Sequence, residues 1–348
     1  MVWRDRRLLD LFGIDAPIVQ APMAGAQDAA LAIAAIKGGA LGSLPCALLS
    51  AETARAQIAE VRAATSGPLN LNFFCHKPVE HFDDRAWRAA LQPYYAEYKV
   101  GAPATPPLLR RPFDEAMCAL VEEARPEVVS FHFGLPDDPL LDRVRAAGAL
   151  ILASATSPAE ARWLAERGVD AVIAQGWEAG GHAGRFLPAD PSSHMGTLAL
   201  VPQIVDAVSM PVIAAGGITD ARGFAAALML GASAVQIGTF YLATPESRIG
   251  PVHRQLLGTE AAEATVSTNV FTGRHARGLA TRLTRELGPT SAIVPPFPHG
   301  GEALAELRKA DPADFANMWA GQAARLARAE GAETLTRRLA AETQELLA

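Results

Sequence analysis

The chain has 348 residues, half of them hydrophobic and only 20% charged, enough to bury one large α/β core plus extra elements. Its net charge is −6, with no long basic block, which argues against nucleic acid and anionic membrane surfaces as partners. Cys46, Cys75 and Cys118 form no Cys-x-x-Cys pair, so reduced thiols in a cytoplasmic protein are expected rather than a disulfide framework or a zinc site. The start of the chain is charged, which speaks against a signal peptide. No run approaches the roughly 20 apolar residues that a membrane helix needs.

Short apolar strands alternate with amphipathic helices along most of the chain. Residues 17–20 read as the first strand, followed by a helix over 28–37 that Gly38 and Gly39 end. The second strand is 40–44, with a helix over 51–64, and the third is 69–74. A long insertion rich in Tyr, Pro and Arg then occupies 75–125. The fourth strand is 128–133, with a helix over 139–147. The fifth is 150–154, with a helix over 158–167 that has Pro158 in its first turn. The sixth, seventh and eighth strands are 170–175, 211–215 and 234–238. Eight strands, each followed by a helix or a longer excursion, predict an α/β fold of the (β/α)8 TIM-barrel type. The strands are continuously apolar, as parallel strands buried on both faces should be. A doubly wound open sheet is the structural alternative. After Ala243 the strand rhythm stops. Residues 254–263, 303–310, 312–329 and 332–347 look helical, with a loop over 289–298. The expected division is a barrel over 1–243 and a helical C-terminal subdomain over 244–348 packed at the barrel mouth.

The most informative stretch is Gln175-Gly176-Trp177-Glu178-Ala179-Gly180-Gly181-His182-Ala183-Gly184. A buried strand that runs out into glycines brings main-chain N–H groups close to a ligand, and His182 adds an acid, base or donor near neutral pH. Two further strands end in Gly216-Gly217 and Gly238-Thr239. Barrel loops after strands seven and eight commonly bind phosphate through backbone N–H groups and a short helix N-terminus. The bland alternative is that these glycines only turn the chain. Asn72, Gln175 and Gln236 are amides on otherwise apolar strands, costly unless their hydrogen bonds are met. They either bond nearby backbone or present donors and acceptors to one shared heterocycle. His182 is the catalytic candidate, because flanking glycines leave it little packing role; His132 and His76 are its competitors. Glu178 reads as a loop partner, Tyr94, Tyr95 and Tyr98 as packing or pocket lining, and Lys309 as solvated. No metal-ligand spacing appears.

These motifs resemble those of the FMN-dependent nitronate monooxygenases, formerly called 2-nitropropane dioxygenases, from Pro17 to about Leu326. The resemblance is carried by Gln20-Ala21-Pro22-Met23, Asn72-Phe73-Phe74-Cys75-His76, Ser130-Phe131-His132-Phe133-Gly134 and the segment ending at His182. It continues through Ala215-Gly216-Gly217-Ile218, Gln236-Ile237-Gly238-Thr239 and Trp319-Ala320-Gly321-Gln322. The glycine–histidine and strand-end motifs are shared with flavin enoyl-acyl-carrier-protein reductases. The Asn-Phe-Phe-Cys and Trp-Ala-Gly-Gln elements look specific to bacterial and fungal nitronate monooxygenases. The resemblance implies that Asn72, Gln175, Gly180 and Gly181 contact FMN. It places the phosphate on Gly216, Gly217, Gln236, Ile237, Gly238 and Thr239, and the backbone of Ala21, Pro22 and Met23 beside the flavin ring. His182 would stand over the reacting face. The implied reaction, a nitroalkane detoxification, oxidises an alkyl nitronate such as propionate 3-nitronate with O2 to a carbonyl compound and nitrite, through a flavin semiquinone. The histidine would take the α-proton of a neutral nitroalkane or orient a preformed nitronate. The chain departs from the family at Ala183, where many members carry Arg, and in the thinned aromatics around Phe297 and His299. The alternatives are an NAD(P)H-dependent FMN enoyl-thioester reductase and a non-redox phosphate-binding barrel. A monomer or homodimer is expected.

Overall fold

The structure is a computed structural model that describes residues 3–103 and 110–348; residues 104–109 of the expected insertion, and Met1 and Val2, lie outside it. In chain order the strands are β1 (Ile18–Gln20), β2 (Gly42–Pro45), β3 (Leu69–Phe74), β4 (Val128–His132), β5 (Leu150–Ala155), β6 (Ala171–Gln175), β7 (Gly181–His182), β8 (Val212–Ala215), β9 (Ala234–Ile237), β10 (Thr265–Thr268) and β11 (Ala276–Leu279). Eight of them form one parallel sheet in the order β1-β9-β8-β6-β5-β4-β3-β2. The two ends of that sheet meet. Gln20 N donates to Leu41 O and Leu41 N to Ile18 O, each at 2.9 Å, in a parallel bridge ahead of β2. The ring is a nearly closed TIM barrel surrounded by helices, with the eight strands that the apolar runs predict.

The local reasons are visible strand by strand. β3 is buried at every position, which leaves no polar face to alternate with. The helices between strands open on side-chain caps. Asp28 accepts from Ala30 N, Ser50 from Thr53 N, and Ser157 from Glu160 N ahead of Pro158. Each cap satisfies an N–H that the first helical turn leaves unpaired.

The region after Ala243 differs from the all-helical expectation. β10 and β11 pair as an antiparallel hairpin, and β11 also pairs with β7, giving a second, three-stranded sheet. Residues 312–329 hold only the short helix Pro312–Phe315 and a single 3₁₀ turn at Ala324–Leu326. Tertiary hydrogen bonds explain the difference: Gly321 N donates to Thr239 Oγ1 and Gln322 N to Glu178 O, each at 2.9 Å. Those bonds take the donors that a continuous helix would use. The helix Ala332–Leu346 buries Leu335 and Leu339 in the barrel core, beside helices Ala29–Lys37 and Ala221–Met229, so it lies on the outer wall rather than at the mouth. A second core joins the insertion helix Arg85–Glu97 to the C-terminal region, with Trp87, Leu91, Tyr94 and Tyr95 packed on Phe271, Leu307 and Phe315. Among the described residues, no helix is long and apolar enough to cross a membrane.

Candidate active site

A cavity of about 550 Å³ opens at the C-terminal ends of the barrel strands, a size and position typical of ligand sites in this architecture. Its wall includes the residues that the resemblance assigns to flavin and catalysis, Ala21, Pro22, Met23, Asn72, Gln175, Gly180, Gly181, His182, Gly216, Gly217, Gln236, Ile237, Gly238 and Thr239, but not Tyr94, Tyr95 or Tyr98. His132 also lines it, whereas His76 does not.

Three loops shape this wall. The first follows β1 and is pinned from below. Gln27 Nε2 donates to Ser43 O at 2.7 Å, and Gln27 Oε1 accepts from Met23 N at 2.9 Å and from Gln20 Nε2 at 2.8 Å. Gln20 is fully buried, and its Oε1 accepts from Ser43 N at 2.9 Å. Sequence reasoning passed over Gln27, although Met23 and Gln20 lie only four and seven residues before it.

The second loop joins β6 to β7. Gln175 Nε2 donates to His182 O at 2.9 Å and Gln175 Oε1 accepts from Gly184 N at 2.6 Å. This amide therefore fastens the glycine loop, the local-backbone alternative, besides facing the cavity. Asn72 likewise donates to Ser130 Oγ at 2.9 Å. Gln236 differs: its Oε1 is buried with no partner among the described residues. Gly180 is where Ala320 and Gly321 close in. A Cβ there would sit 2.6 Å from Gly321 N and 2.7 Å from Ala320 C. Glu178 is a loop partner as expected, accepting from Thr197 N at 2.8 Å and Thr197 Oγ1 at 2.9 Å at the start of helix Thr197–Ala207. Beyond His182, the buried Glu160 carboxylate accepts from Phe186 N, Leu187 N, Thr156 N and Thr156 Oγ1, tying this loop to the end of β5.

The third element is the pair of neighbouring ends of β8 and β9. Gly216 and Gly217 have φ of +112° and +74°, backbone that side chains rarely adopt. A Cβ on Gly216 would meet Ala179 N at 2.9 Å. Thr239 Oγ1 accepts from Gly321 N, which leaves its own proton available to donate.

His182 sits on β7 and is 8% exposed. Trp319 and Phe297 stand at 5.4 and 5.1 Å from its ring. Burial, reinforced by Arg110, His132, Arg274 and His76, holds its pKa well below the ordinary histidine value, so the ring is neutral. Its Nε2 lies 2.9 Å from Thr272 Oγ1. With the Thr272 hydroxyl proton assigned to the Arg274 carbonyl at 3.2 Å, which can only accept, its oxygen accepts from His182 Nε2–H. The protonated nitrogen is thereby fixed, and Nδ1 is left as the ring's acceptor. His132 has no such freedom. Its Nε2 donates to His182 O and its Nδ1 faces Ser154 Oγ, both at 3.1 Å. Burial pushes its pKa to about 4. It is a strut under β7. The tyrosines are packing: Tyr94 binds Glu286, Tyr95 binds Ala303 O and Tyr98 binds Asp311 and Asp314. Lys309 is exposed, paired to Glu306.

The chain is similar over nearly its whole length to known proteins. The family model described as nitronate monooxygenase matches residues 5–342. The nitronate monooxygenase of Paraburkholderia phytofirmans is 42% identical over 98% of this chain and 95% of its own length. That of Pseudomonas aeruginosa is 42% identical over 97% of this chain and 98% of its own length. A nitroalkane oxidase from Streptomyces ansochromogenes superposes with a TM-score of 0.89 at 38% identity, covering 97% of this chain and 98% of that one. The chain belongs to the nitronate monooxygenase family, whose members are flavin-dependent oxidoreductases.

Proposed function

We propose that this chain binds FMN at the barrel mouth and oxidises alkyl nitronates with O2 to a carbonyl compound and nitrite. The observation that carries the reading is the neutral His182, oriented by Thr272 in the wall of a cavity that the glycine cradle also lines. The residues present fit FMN. The cradle of Gly216, Gly217 and the Gly238–Thr239 turn, at the start of the short helix Thr239–Leu242, suits a phosphate. The unpartnered Gln236 Oε1 suits a ring or ribityl donor, and the turn at Ala21, Pro22 and Met23 offers a flat wall. FMN, when bound, supplies the electron acceptor for the nitronate and the donor to oxygen. The protein's own part is to exclude water with Phe74, Phe133, Phe297 and Trp319, to orient the substrate beside His182, and to hold Nδ1 ready for the α-proton of a neutral nitroalkane. We place the protein in the cytoplasm on its three free thiols.

Heat release of the bound flavin followed by chromatography tests the cofactor: FMN is expected, and FAD refutes the cradle. Anaerobic mixing of the holoprotein with propionate 3-nitronate tests the reaction. Prompt bleaching of the flavin is expected. Rapid bleaching by NAD(P)H with no response to nitronate would replace this reading by the enoyl-thioester reductase.

A further inference from the structure

Arg110 lines the cavity and is half-buried. Its guanidinium carbon lies 5.9 Å from the Phe297 ring centroid, and the His182 ring stands 5.1 Å from that same centroid. Burial alone pushes the Arg110 pKa down; no acid or hydrogen-bond partner among the described residues acts on it. Residues 104–109, immediately before it, contain no acid. The two other arginines of this neighbourhood are already occupied. Arg274 donates to Arg185 O and lies 4.0 Å over Phe133. Arg308 donates to Phe271 O at 3.0 Å and Phe315 O at 3.3 Å. The nearby histidines His76, His132 and His182 are neutral. Arg110 is thus a cation drawn partly out of water, facing a cavity, with no acidic or hydrogen-bonding side-chain partner among the described residues. Such a group is costly until a ligand pairs with it.

The cofactor phosphate is not that ligand. Phe297 belongs to the aromatic cluster of Phe74 and Phe133, at the ends of β3 and β4. In the strand order β1-β9-β8-β6-β5-β4-β3-β2 these ends lie across the ring from β8 and β9, where the glycine cradle sits. Arg110 therefore stands on the substrate side. The nitronate group is a poor choice of partner as well. Oxidation removes its negative charge, so an arginine on it would favour the ground state over the transition state and slow the step. A carboxylate keeps its charge throughout.

We propose that Arg110 is the counter-ion of the substrate carboxylate, the residue by which this site distinguishes a carboxylate-bearing nitronate from a simple alkyl one. The inference rests on the nitronate reading above and adds a specificity residue to it. The test uses holoenzyme of wild type, Arg110→Gln and Arg110→Lys, with flavin content and circular dichroism as fold controls. Propionate 3-nitronate and propyl 1-nitronate are compared by steady-state kinetics. Succinate, an unreactive dicarboxylate, is titrated by the shift in flavin absorbance. Loss of one charge-assisted pair should raise KM for propionate 3-nitronate by roughly 10- to 100-fold. The change in kcat should stay below about threefold, as for uniform binding. KM for propyl 1-nitronate should move less than about threefold, and Arg110→Lys should recover part of the loss by keeping the charge. Succinate binding should weaken in parallel in Arg110→Gln. An equal KM change for both nitronates, or a fall in kcat for both, would assign Arg110 to the nitro group and overturn the proposal. No change for either overturns it too. If wild type oxidises neither nitronate, the functional reading fails, while Arg110-dependent succinate binding still supports the carboxylate site and Arg110-independent binding removes it.

Discussion

Thr272→Val removes the acceptor that fixes the His182 proton while nearly preserving side-chain volume. In the native site the Thr272 hydroxyl is spent on Arg274 O, so its oxygen receives Nε2–H at 2.9 Å. Valine leaves that N–H buried with no acceptor, a penalty of about 1–3 kcal/mol. The ring escapes the penalty by shifting its proton to Nδ1, which faces the cavity and is the nitrogen needed as base. If the tautomer shifts, the same energy appears as a rate loss of about 5- to 150-fold on a neutral nitroalkane. If it does not, it appears as lost stability. The assay is kcat/KM for nitroethane against preformed ethyl nitronate, with denaturant unfolding alongside and Thr272→Ser as the control that keeps the hydroxyl. Nitroethane oxidation should fall, nitronate oxidation should fall less because its α-proton is already gone, and serine should restore most of the activity. A valine variant within twofold of wild type in both rate and stability would refute the tautomer assignment.

His182→Asn should keep fold and flavin while cutting nitroalkane oxidation by roughly 10²- to 10⁴-fold, the range expected for a general base; equal losses on nitroalkane and nitronate would make His182 a binding residue instead. Gly217→Asp should weaken flavin retention far more than it lowers the unfolding midpoint, since the new carboxylate would face the proposed phosphate site from a backbone at φ +74°; flavin held as tightly as in wild type would move the phosphate elsewhere. Gly180→Ala should cost both stability and flavin, because its Cβ meets backbone of Ala320 and Gly321 rather than a yielding side chain. Burial lowers the pKa of His76, His132 and His253 to about 4, and that of His182 well below its ordinary value. Below pH 6.5 the unfolded chain therefore binds protons that the folded chain refuses. Stability should be complete above that pH and fall as pH drops toward 4, by about 1.4 kcal/mol per pH unit for each histidine; unfolding free energies that match at pH 7.5 and 5.5 would contradict the neutral assignment.

The barrel was legible because its signal is local. A parallel strand buried on both faces must be apolar along its length, and the caps at Asp28, Ser50 and Ser157 lie beside the helices they open. The glycine-bearing strand ends were legible for the same reason. What failed was long-range. The alanine-rich stretch Ala316, Ala320, Ala323 and Ala324 has helical propensity, yet Gly321 and Gln322 are drawn away by Thr239 and Glu178, and propensity gives way to those bonds. Leu335 and Leu339 announce an apolar helix face, but nothing in their spacing says whether the mouth or the outer wall receives it. Gln175 leaves two readings open in the sequence, a ligand-facing amide or a bond to nearby backbone, and the fold shows it both lining the cavity and holding Gly184 N and His182 O. Thr272 carries no motif at all, and its distance of 90 residues from His182 hides the pair.

These misses share a cause that bears on how the site works. The barrel supplies the glycine cradle from β8 and β9, but it does not by itself place the histidine. His182 lies on β7, which is paired not with a barrel strand but with β11 from beyond the barrel. Its proton is set by Thr272, and its ring is walled by Phe297 and Trp319. Arg277, from the same hairpin, donates to Trp177 O at 3.0 Å and so grips the loop from its other side. The barrel holds the His182 backbone through Gln175 and His132, the C-terminal region orients its ring, and the barrel alone forms the cradle. A substitution at the β7–β11 pairing should move the base without moving the cradle, lowering turnover while flavin stays bound. A substitution at Gly216 or Gly217 should do the reverse.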